Sequence, residues 1–161
     1  MADAEAWIAG IYASPEYINT LDDSTAISSL VKVDLELWGC PVNSRQIVAA
    51  VRALLFGVTP EEEHDKLCLE CKRRNTVCVM VSKGEPCMGP VTRTGCGALC
   101  PAFGRACYAC YGPAENLNAN AFAGRLSGLG LVDDEVARRF LFINSGADAF
   151  QEEGVKWGDV S

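Results

Sequence analysis

The sequence predicts an α+β fold in which the end of an α/β layer is followed by a loop-rich segment that contains most of the cysteines. Residues 31–38 (VKVDLELW) alternate apolar and polar side chains with the period of a strand, and a helical pattern begins after residue 43. From residue 61 to residue 113 neither period persists, and Gly, Pro and Cys interrupt the chain throughout. With 161 residues, the chain is long enough for one core of moderate size.

The first predicted helix covers residues 4–12 and ends before a Ser-Pro pair. Its apolar side is formed by Trp7, Ile8, Ile11 and Tyr12. The predicted strand over residues 31–38 then ends at a Gly-Cys-Pro turn that contains Cys40. Functional groups commonly lie in such turns, beyond the carboxyl end of a strand in an α/β layer.

The second predicted helix follows this turn. Asn43 or Ser44 caps its amino terminus, and Gly57 ends it. The side chains predicted to face a core are Ile47, Val48, Val51, Leu54 and Leu55. Together the strand, the turn and this helix form one strand-turn-helix unit.

The segment from residue 61 to residue 113 is predicted to need an internal cofactor. A loop of roughly fifty residues is unusual in a compact fold unless a bound group replaces part of the core. After residue 118 we predict one further helix, in which Asp133 or Asp134 caps residues 136–142. The acidic end, residues 151–159, is interpreted as a packing or partner surface without chemistry of its own.

Charge is distributed unevenly along the chain. The net charge is -7, yet residues 68–110 contain six cations against Glu70 and Glu85, so this segment is at +4 and the remainder at -11. The cations, which could tune a bound anionic group, are Lys72, Arg73, Arg74, Lys83, Arg93 and Arg105. An acidic chain without basic stripes that alternate with aromatic residues is unlike a nucleic-acid-binding protein. No apolar run is long enough for a membrane span and no export signal is recognisable, so we expect a cytoplasmic protein.

Nine cysteines are the most informative feature of the sequence. Eight of them divide into two consecutive sets of four with C-x2-C pairs at the outer ends: Cys68, Cys71, Cys78 and Cys87, then Cys96, Cys100, Cys107 and Cys110. An odd total packed into one segment fits metal or cluster binding better than a secreted disulfide framework. Dispersed sets with almost no linker between them favour iron-sulfur clusters. The predicted apolar shell consists of Val77, Val79, Met80, Val81, Leu99 and Phe103.

Several alternatives remain open on spacing alone. Zinc sites with four cysteines also use C-x2-C pairs, and structural disulfides are a further possibility. Cys40 is either a buried structural cysteine or a functional one. His64, the single histidine, lies four residues before Cys68, and we interpret it as an exposed or capping residue because two complete thiolate sets leave it no vacancy.

Four stretches of the sequence, WGCPVN, CLECKRRNTVCV, GEPCMGPVTRTGCGALCP and GRACYACYGP, resemble the small subunit of nickel-iron hydrogenases. The similarity covers residues 31–113 and is greatest to the cytosolic, bidirectional, cofactor-coupled group. It implies a subunit that relays electrons between the nickel-iron site of a separate large subunit and a diaphorase-like or other carrier-reducing partner. The chain would contain no catalytic residue and would support H2 oxidation or H+ reduction only within the complex.

The resemblance also implies which cluster each cysteine binds. Cys40 would be one ligand of the proximal cluster, beside the nickel-iron site. The distal [4Fe-4S] cluster would be held by Cys68, Cys71, Cys78 and Cys87, and the medial [4Fe-4S] cluster by Cys96, Cys100, Cys107 and Cys110. Exported members of the family typically have histidine in place of Cys68 and commonly only three medial cysteines. Sites with four thiolates are expected at lower potential.

Finally, the resemblance implies a division of the chain at residue 60. Residues 1–60 would be the carboxyl-terminal part of a flavodoxin-like α/β domain, and residues 61–161 a cluster-binding domain with a helical tail. The other three proximal ligands would lie in an amino-terminal flavodoxin-like part, before Ala4 or on another chain. The alternative functions are an electron-transfer subunit of a related non-hydrogenase oxidoreductase complex and, third, a structural zinc module.

Overall fold

The computed structural model describes residues 3–19, 25–60 and 65–158, and the chain divides into two compact units, Met1–Asp34 and Leu35–Ser161. Its α-helices are α1 (Ala4–Ile11), α2 (Ser44–Leu55), α3 (Leu67–Arg73), α4 (Val79–Lys83), α5 (Leu99–Ala102), α6 (Ala119–Ser127), α7 (Asp133–Leu141) and α8 (Asp148–Gly158). Two short 3-10 helices cover Pro15–Tyr17 and Ile27–Ser29. Within the described ranges, every helix is too short or too polar to cross a membrane.

Helix α1 forms where the sequence predicts it. Asp3 caps it, because the Asp3 carboxylate accepts a hydrogen bond from the Glu5 N–H at 3.0 Å. Of the predicted apolar side, Ile8 is buried, whereas Trp7 and Ile11 are both 58% exposed.

The prediction of a strand over residues 31–38 is wrong. Residues 31–38 are irregular, and the strand-like pairings in the described part of the chain are two isolated antiparallel bridges, Lys66 with Arg93 and Thr92 with Pro113. A strand needs the backbone of a neighbouring strand for its hydrogen bonds, and here the described residues provide none. The apolar side chains of the alternating pattern, Val31, Val33 and Leu37, are accordingly exposed. The described fold is therefore mostly helical.

Helix α2 has the predicted ends but not the predicted core. The Asn43 side chain accepts a hydrogen bond from the Arg45 N–H at 2.9 Å, and the Gly57 N–H donates to the Leu54 carbonyl at 3.0 Å just beyond the last turn. The five side chains predicted to face a core are 40–80% exposed, because nothing in the described part of the chain covers them; they are Ile47, Val48, Val51, Leu54 and Leu55. Within this helix the buried residue is Ala50.

The cysteine segment, residues 66–113, confirms the loop-rich prediction. Its regular elements are the short helices α3, α4 and α5, which are joined by turns. The predicted apolar shell is only partly correct: Val79 is buried and Met80 packs against the core, whereas Val77, Val81, Leu99 and Phe103 are 56–83% exposed. The buried residues of this segment, among them Leu67, Met88 and Val91, form one cluster with residues of the carboxyl-terminal helices.

The carboxyl-terminal tail contains three helices where the sequence predicted one. Helix α7 forms at the predicted place, although Val132 and not Asp133 or Asp134 is at its cap position, and α6 and α8 are additional. The rings of Phe122, Phe140 and Phe150 pack edge to face in the core, with centroids 6.3 Å and 5.7 Å apart. A Cβ on Gly154 of α8 would lie 2.5 Å from Leu141 Cγ, so glycine permits the close contact between α7 and α8. Most of the acidic end forms α8, and Asp159 lies outside the described residues.

Candidate functional site

All nine cysteines are free thiols, which excludes disulfides among them in this structure. The first group of four is Cys68, Cys71, Cys78 and Cys87. Cys68 and Cys71 lie three residues apart on α3, so they face the same side of one helical turn, and Cys78 is the residue that precedes α4. Burial and, after it, the charges of Cys87, Cys71 and Cys78 raise the pKa of the Cys68 thiol to about 11. The other three thiols therefore all lie close enough to act on Cys68.

Gly89 leaves space beside the first group. A Cβ on Gly89 would lie 3.5 Å from the Sγ atoms of both Cys68 and Cys87, so the two sulfurs flank the same point of the backbone. Any side chain at this position would fill the space between them. The absence of a Cβ allows the backbone to approach whatever the two sulfurs bind.

The second group contains Cys96, Cys100 on α5, Cys107 and Cys110. Burial raises the pKa of the Cys110 thiol, and the charges of Cys96 and Cys100 raise it further. Burial also raises the pKa of the Cys107 thiol, well above its usual range. Such thiols stay protonated without a cation, whereas a coordinating metal would deprotonate them.

Backbone N–H groups point at several of the sulfurs. The Cys107 N–H donates to the Cys87 Sγ at 3.2 Å, and the Ala109 N–H donates to the Cys107 Sγ at 3.3 Å. The backbone N–H groups of Leu99 and Ala98 lower the pKa of Cys96 against the dominant effect of burial. Hydrogen bonds to the sulfurs stabilise anionic thiolates and are one of the features that set the potential of a bound cluster.

Cys40 is exposed, and its turn packs against the second group. The exposure is contrary to the interpretation of Cys40 as a buried structural cysteine. The Tyr111 hydroxyl donates to the Pro41 carbonyl at 3.2 Å, and the Asn43 side-chain amide donates to the Gly95 carbonyl at 2.9 Å. The backbone N–H of Cys40 also donates to the Cys110 sulfur, which lowers the Cys110 pKa. The turn therefore brings Cys40 close to Cys110.

Several cations of the segment contact other side chains or the backbone. Arg73 pairs with Asp65 at 2.7 Å, Lys83 donates to the Gly104 carbonyl at 3.0 Å, and the Arg93 guanidinium lies 5.5 Å from the Trp38 ring centroid. Lys72 lowers the pKa of Cys68, and so its charge reaches the first group. His64 lies outside the described residues.

The sequence analysis missed the role of two residues inside the segment. Glu70 was counted only as a charge, yet its carboxylate accepts hydrogen bonds from the Thr94 hydroxyl and from the Ala98 N–H, the latter at 3.1 Å. Thr92 is buried, and its hydroxyl donates to the Met88 carbonyl at 2.6 Å and accepts a hydrogen bond from the Cys107 thiol at 3.8 Å. One signal was available for Glu70: it stands inside a C-x2-C pair as one of only two carboxylates in a basic segment.

In the described residues, no three His, Cys, Asp or Glu side chains are close enough to hold a single metal ion. The thiolates of a four-iron cluster bind different iron atoms, and so they stand farther apart than the ligands of one tetrahedral ion. The many free thiols in one segment and the N–H donors aimed at sulfur fit the chemistry of iron-sulfur clusters.

No family model matches this sequence. Among curated proteins, it is similar to the delta subunit of sulfhydrogenase 2 from Pyrococcus furiosus, with 34% identity over 113 residues that cover 70% of this chain and 47% of the relative. It is also similar to a vhu subunit of the F420-non-reducing hydrogenase from Methanocaldococcus jannaschii, with 30% identity over 149 residues that cover 80% of this chain and 49% of the relative. An iron-sulfur subunit of the F420-non-reducing hydrogenase from Archaeoglobus profundus is 28% identical over 127 residues, which cover 62% of this chain and 38% of the relative.

The chain spans about half of the length of the first two relatives and less of the third. The alignments with the first two relatives cover more than two thirds of the chain. The similarity therefore extends beyond the cysteine segment. The chain is therefore similar, over most of its own length and about half of theirs, to hydrogenase subunits that include the sulfhydrogenase delta subunit and its F420-non-reducing hydrogenase counterparts.

Proposed function

We propose that this chain is an electron-transfer subunit of a cytoplasmic nickel-iron hydrogenase of the bidirectional, cofactor-coupled kind. The observation that carries the proposal is that thiols of one segment lie close enough to interact: Cys68 with Cys71, Cys78 and Cys87, and Cys110 with Cys96 and Cys100. The similarity to hydrogenase subunits, one of which is named an iron-sulfur subunit, supports the same role. Catalysis of H2 oxidation or H+ reduction would take place in a separate large subunit.

In this proposal each thiol group holds one [4Fe-4S] cluster. Cys68, Cys71, Cys78 and Cys87 would hold the distal cluster, and Cys96, Cys100, Cys107 and Cys110 the medial one. A bound cluster supplies one-electron redox chemistry. The chain's own contribution is to bury the thiols, to direct N–H groups at their sulfurs and to keep the two groups adjacent, as the hydrogen bond from the Cys107 N–H to the Cys87 sulfur illustrates.

Cys40 is proposed as one ligand of a third, proximal cluster. Its exposure and the position of its turn beside Cys110 support this assignment, because a ligand shared with other polypeptide must be accessible while its cluster stays near the medial one. Electrons would pass from the first group to the second group and then to the cluster at Cys40. This order differs from the order of the cysteines in the sequence. The other three ligands of that site would come from outside residues 1–161.

The proposed partners are the large subunit, a diaphorase-like or other carrier-reducing subunit, and a flavodoxin-like part that completes residues 1–60 as an α/β domain. The exposed apolar side of α2 supports the last of these, since Val48, Val51 and Leu55 are 50–80% exposed. A helix that packs on a sheet presents such a side to its neighbour. The division between domains at residue 60 stays a prediction.

Anaerobic iron and acid-labile sulfide analysis, with EPR of the dithionite-reduced chain, tests the proposal directly. Two four-iron sites predict about eight iron atoms per chain and a spectrum of interacting [4Fe-4S] centres. About two zinc atoms with little iron would instead support a structural zinc module.

The hydrogenase assignment needs a separate experiment on the native complex. Purification through a tag on this chain should recover a nickel-containing large subunit and H2-dependent reduction of a soluble carrier. If the complex contains all its clusters but lacks that activity, the related non-hydrogenase oxidoreductase becomes the better assignment.

A further inference from the structure

We propose that Glu70 and Arg74, which we call the α3 clamp, fix the distance between the two thiol groups, and that the Glu70 carboxylate lowers the reduction potential of both. The inference rests on the function proposed above. Glu70 is a positioning residue in this proposal, because it acts on the sites through the backbone and through its charge.

The clamp joins the two groups physically. Glu70 lies on α3 between Cys68 and Cys71, and Arg74 follows the last residue of the same helix. Glu70 accepts hydrogen bonds from the Thr94 hydroxyl and the Ala98 N–H, and Arg74 donates to the Gly97 carbonyl. Three hydrogen bonds therefore attach the loop over residues 94–98, which contains Cys96, to the helix that carries two thiols of the first group.

The attached loop has a backbone that needs outside support. Ala98 has a φ of +49°, which places an alanine in the left-handed region. Residues with a Cβ rarely adopt this conformation unless the surrounding structure holds them in it. Thr94 and Ala98 are both buried, so the two donors to Glu70 are shielded from water. The clamp is thus well placed to hold the loop in one conformation.

The carboxylate also places a negative charge beside both groups. Glu70 precedes Cys71 of the first group on α3, and it accepts hydrogen bonds from Thr94 and Ala98, which flank Cys96 of the second group. A nearby negative charge disfavours the further negative charge that a one-electron reduction by dithionite adds to each site.

The test compares Glu70→Gln with Glu85→Gln in the full 161-residue chain, purified anaerobically and titrated with dithionite under EPR. Both substitutions remove one negative charge, and Glu85 is exposed. In Glu70→Gln we expect both sites to become easier to reduce, by about tenfold in the equilibrium constant, which is about 59 mV for one electron. In Glu85→Gln we expect the potentials of the unsubstituted chain. A loaded Glu70→Gln chain with unchanged potentials would overturn the inference.

A second pair of variants keeps the inference testable if Glu70→Gln does not retain iron. Thr94→Val removes one donor to the clamp but keeps the charge of Glu70, and Thr94→Ser keeps the hydroxyl. We expect Thr94→Val to alter the magnetic interaction between the two reduced sites and Thr94→Ser to preserve it. Identical spectra and potentials in the two Thr94 variants and the unsubstituted chain would refute the clamp. An unsubstituted chain without iron would instead refute the function on which the inference rests.

Discussion

The cysteine segment and the carboxyl-terminal tail, residues 119–158, are built on different principles although their buried side chains form one cluster. The tail buries large apolar groups, including Phe140 and Phe150, which are among the largest fully buried side chains. The buried residues near the thiols include small or polar ones as well as aliphatic ones, namely Ala98, Ala106, Ala109, Thr92, Thr94, Leu67, Val79, Met88 and Val91. The tail core therefore contains phenylalanine rings, whereas the segment combines buried aliphatic side chains with hydroxyl groups and thiols.

This difference indicates where the stability of each region comes from. Burial of a large apolar side chain contributes about 1.5–3 kcal/mol, so the three phenylalanines can stabilise the tail without a cofactor. The segment has short helices, buried hydroxyl groups and thiols whose pKa values are raised by burial. A region of this kind is expected to owe its order largely to what its thiols bind.

Removal of the iron should produce the largest effect and would separate the two regions most clearly. We expect anaerobic chelation to abolish most amide protection in residues 66–113, because cluster binding and folding are linked there. Helices α6, α7 and α8 should keep theirs. Hydrogen exchange followed by mass spectrometry measures both regions in one sample. Equal loss of protection in the two regions would contradict the comparison.

A genetic version of this experiment uses Cys107→Ser. We expect this variant to lose the iron of one site, about four atoms, and to melt at a lower temperature. Cys40→Ser is the matched control, because Cys40 is exposed and is assigned to a site that this chain does not complete. Iron content and melting temperature that are the same in both variants would argue against the assignment of Cys107.

The next largest effect is expected in the tail, from Phe140→Ala. Phe140 is 1% exposed and contacts two other rings, so truncation should reduce the free energy of unfolding by about 3–5 kcal/mol. The control is Phe103→Ala in the cysteine segment, where the ring is 77% exposed and the cost should stay within about 0.5 kcal/mol. Urea unfolding of the iron-loaded chains measures both values. Similar losses of unfolding free energy in the two variants would mean that the apolar core of the tail is not the main source of the protein's stability.

The sequence identified the cysteines but not the residues that support them. Spacing alone divided eight cysteines into two sets of four, and this division stays a prediction. In the structure Cys68 interacts with the other three members of its set, whereas Cys107 interacts with Cys87 of the other set as well as with Cys110. Glu70 and Thr92 could not be identified in the same way, because their roles depend on specific hydrogen bonds. The partners of Glu70 lie 24 and 28 positions away in the sequence, and those of Thr92 lie 4 and 15 positions away. Long-range contacts of this kind leave no periodic signal in one sequence.

Errors in the predicted fold have two physical sources. The strand over residues 31–38 and the buried side of α2 were inferred from alternation and helical period, which report that a face is apolar but not that this chain covers it. Helix α8 was missed because Gly154 lowers local helix propensity. In the structure that glycine allows contact with Leu141, so tertiary packing outweighs the local preference.

A smaller effect is expected from Thr92→Val inside the cysteine segment. The change leaves the Met88 carbonyl without its buried hydroxyl partner and should cost about 1–3 kcal/mol. Thr92→Ser retains the donor and should cost less. Urea unfolding of the two variants gives the difference in unfolding free energy, which measures how much this buried polar contact stabilises the cysteine segment. If valine is tolerated as well as serine, the hydroxyl is not part of the segment's support.

The smallest effect should come from the surface of the tail, where Arg138 and Asp134 form an ion pair at 2.5 Å on α7. The side chains are 70% and 64% exposed, so water and salt screen their attraction. We expect Arg138→Ala to lower the free energy of unfolding by at most about 0.5 kcal/mol, and less in high salt. Urea unfolding at two salt concentrations tests this. A cost above about 1 kcal/mol would show that the tail depends on surface charge as well as on its buried rings.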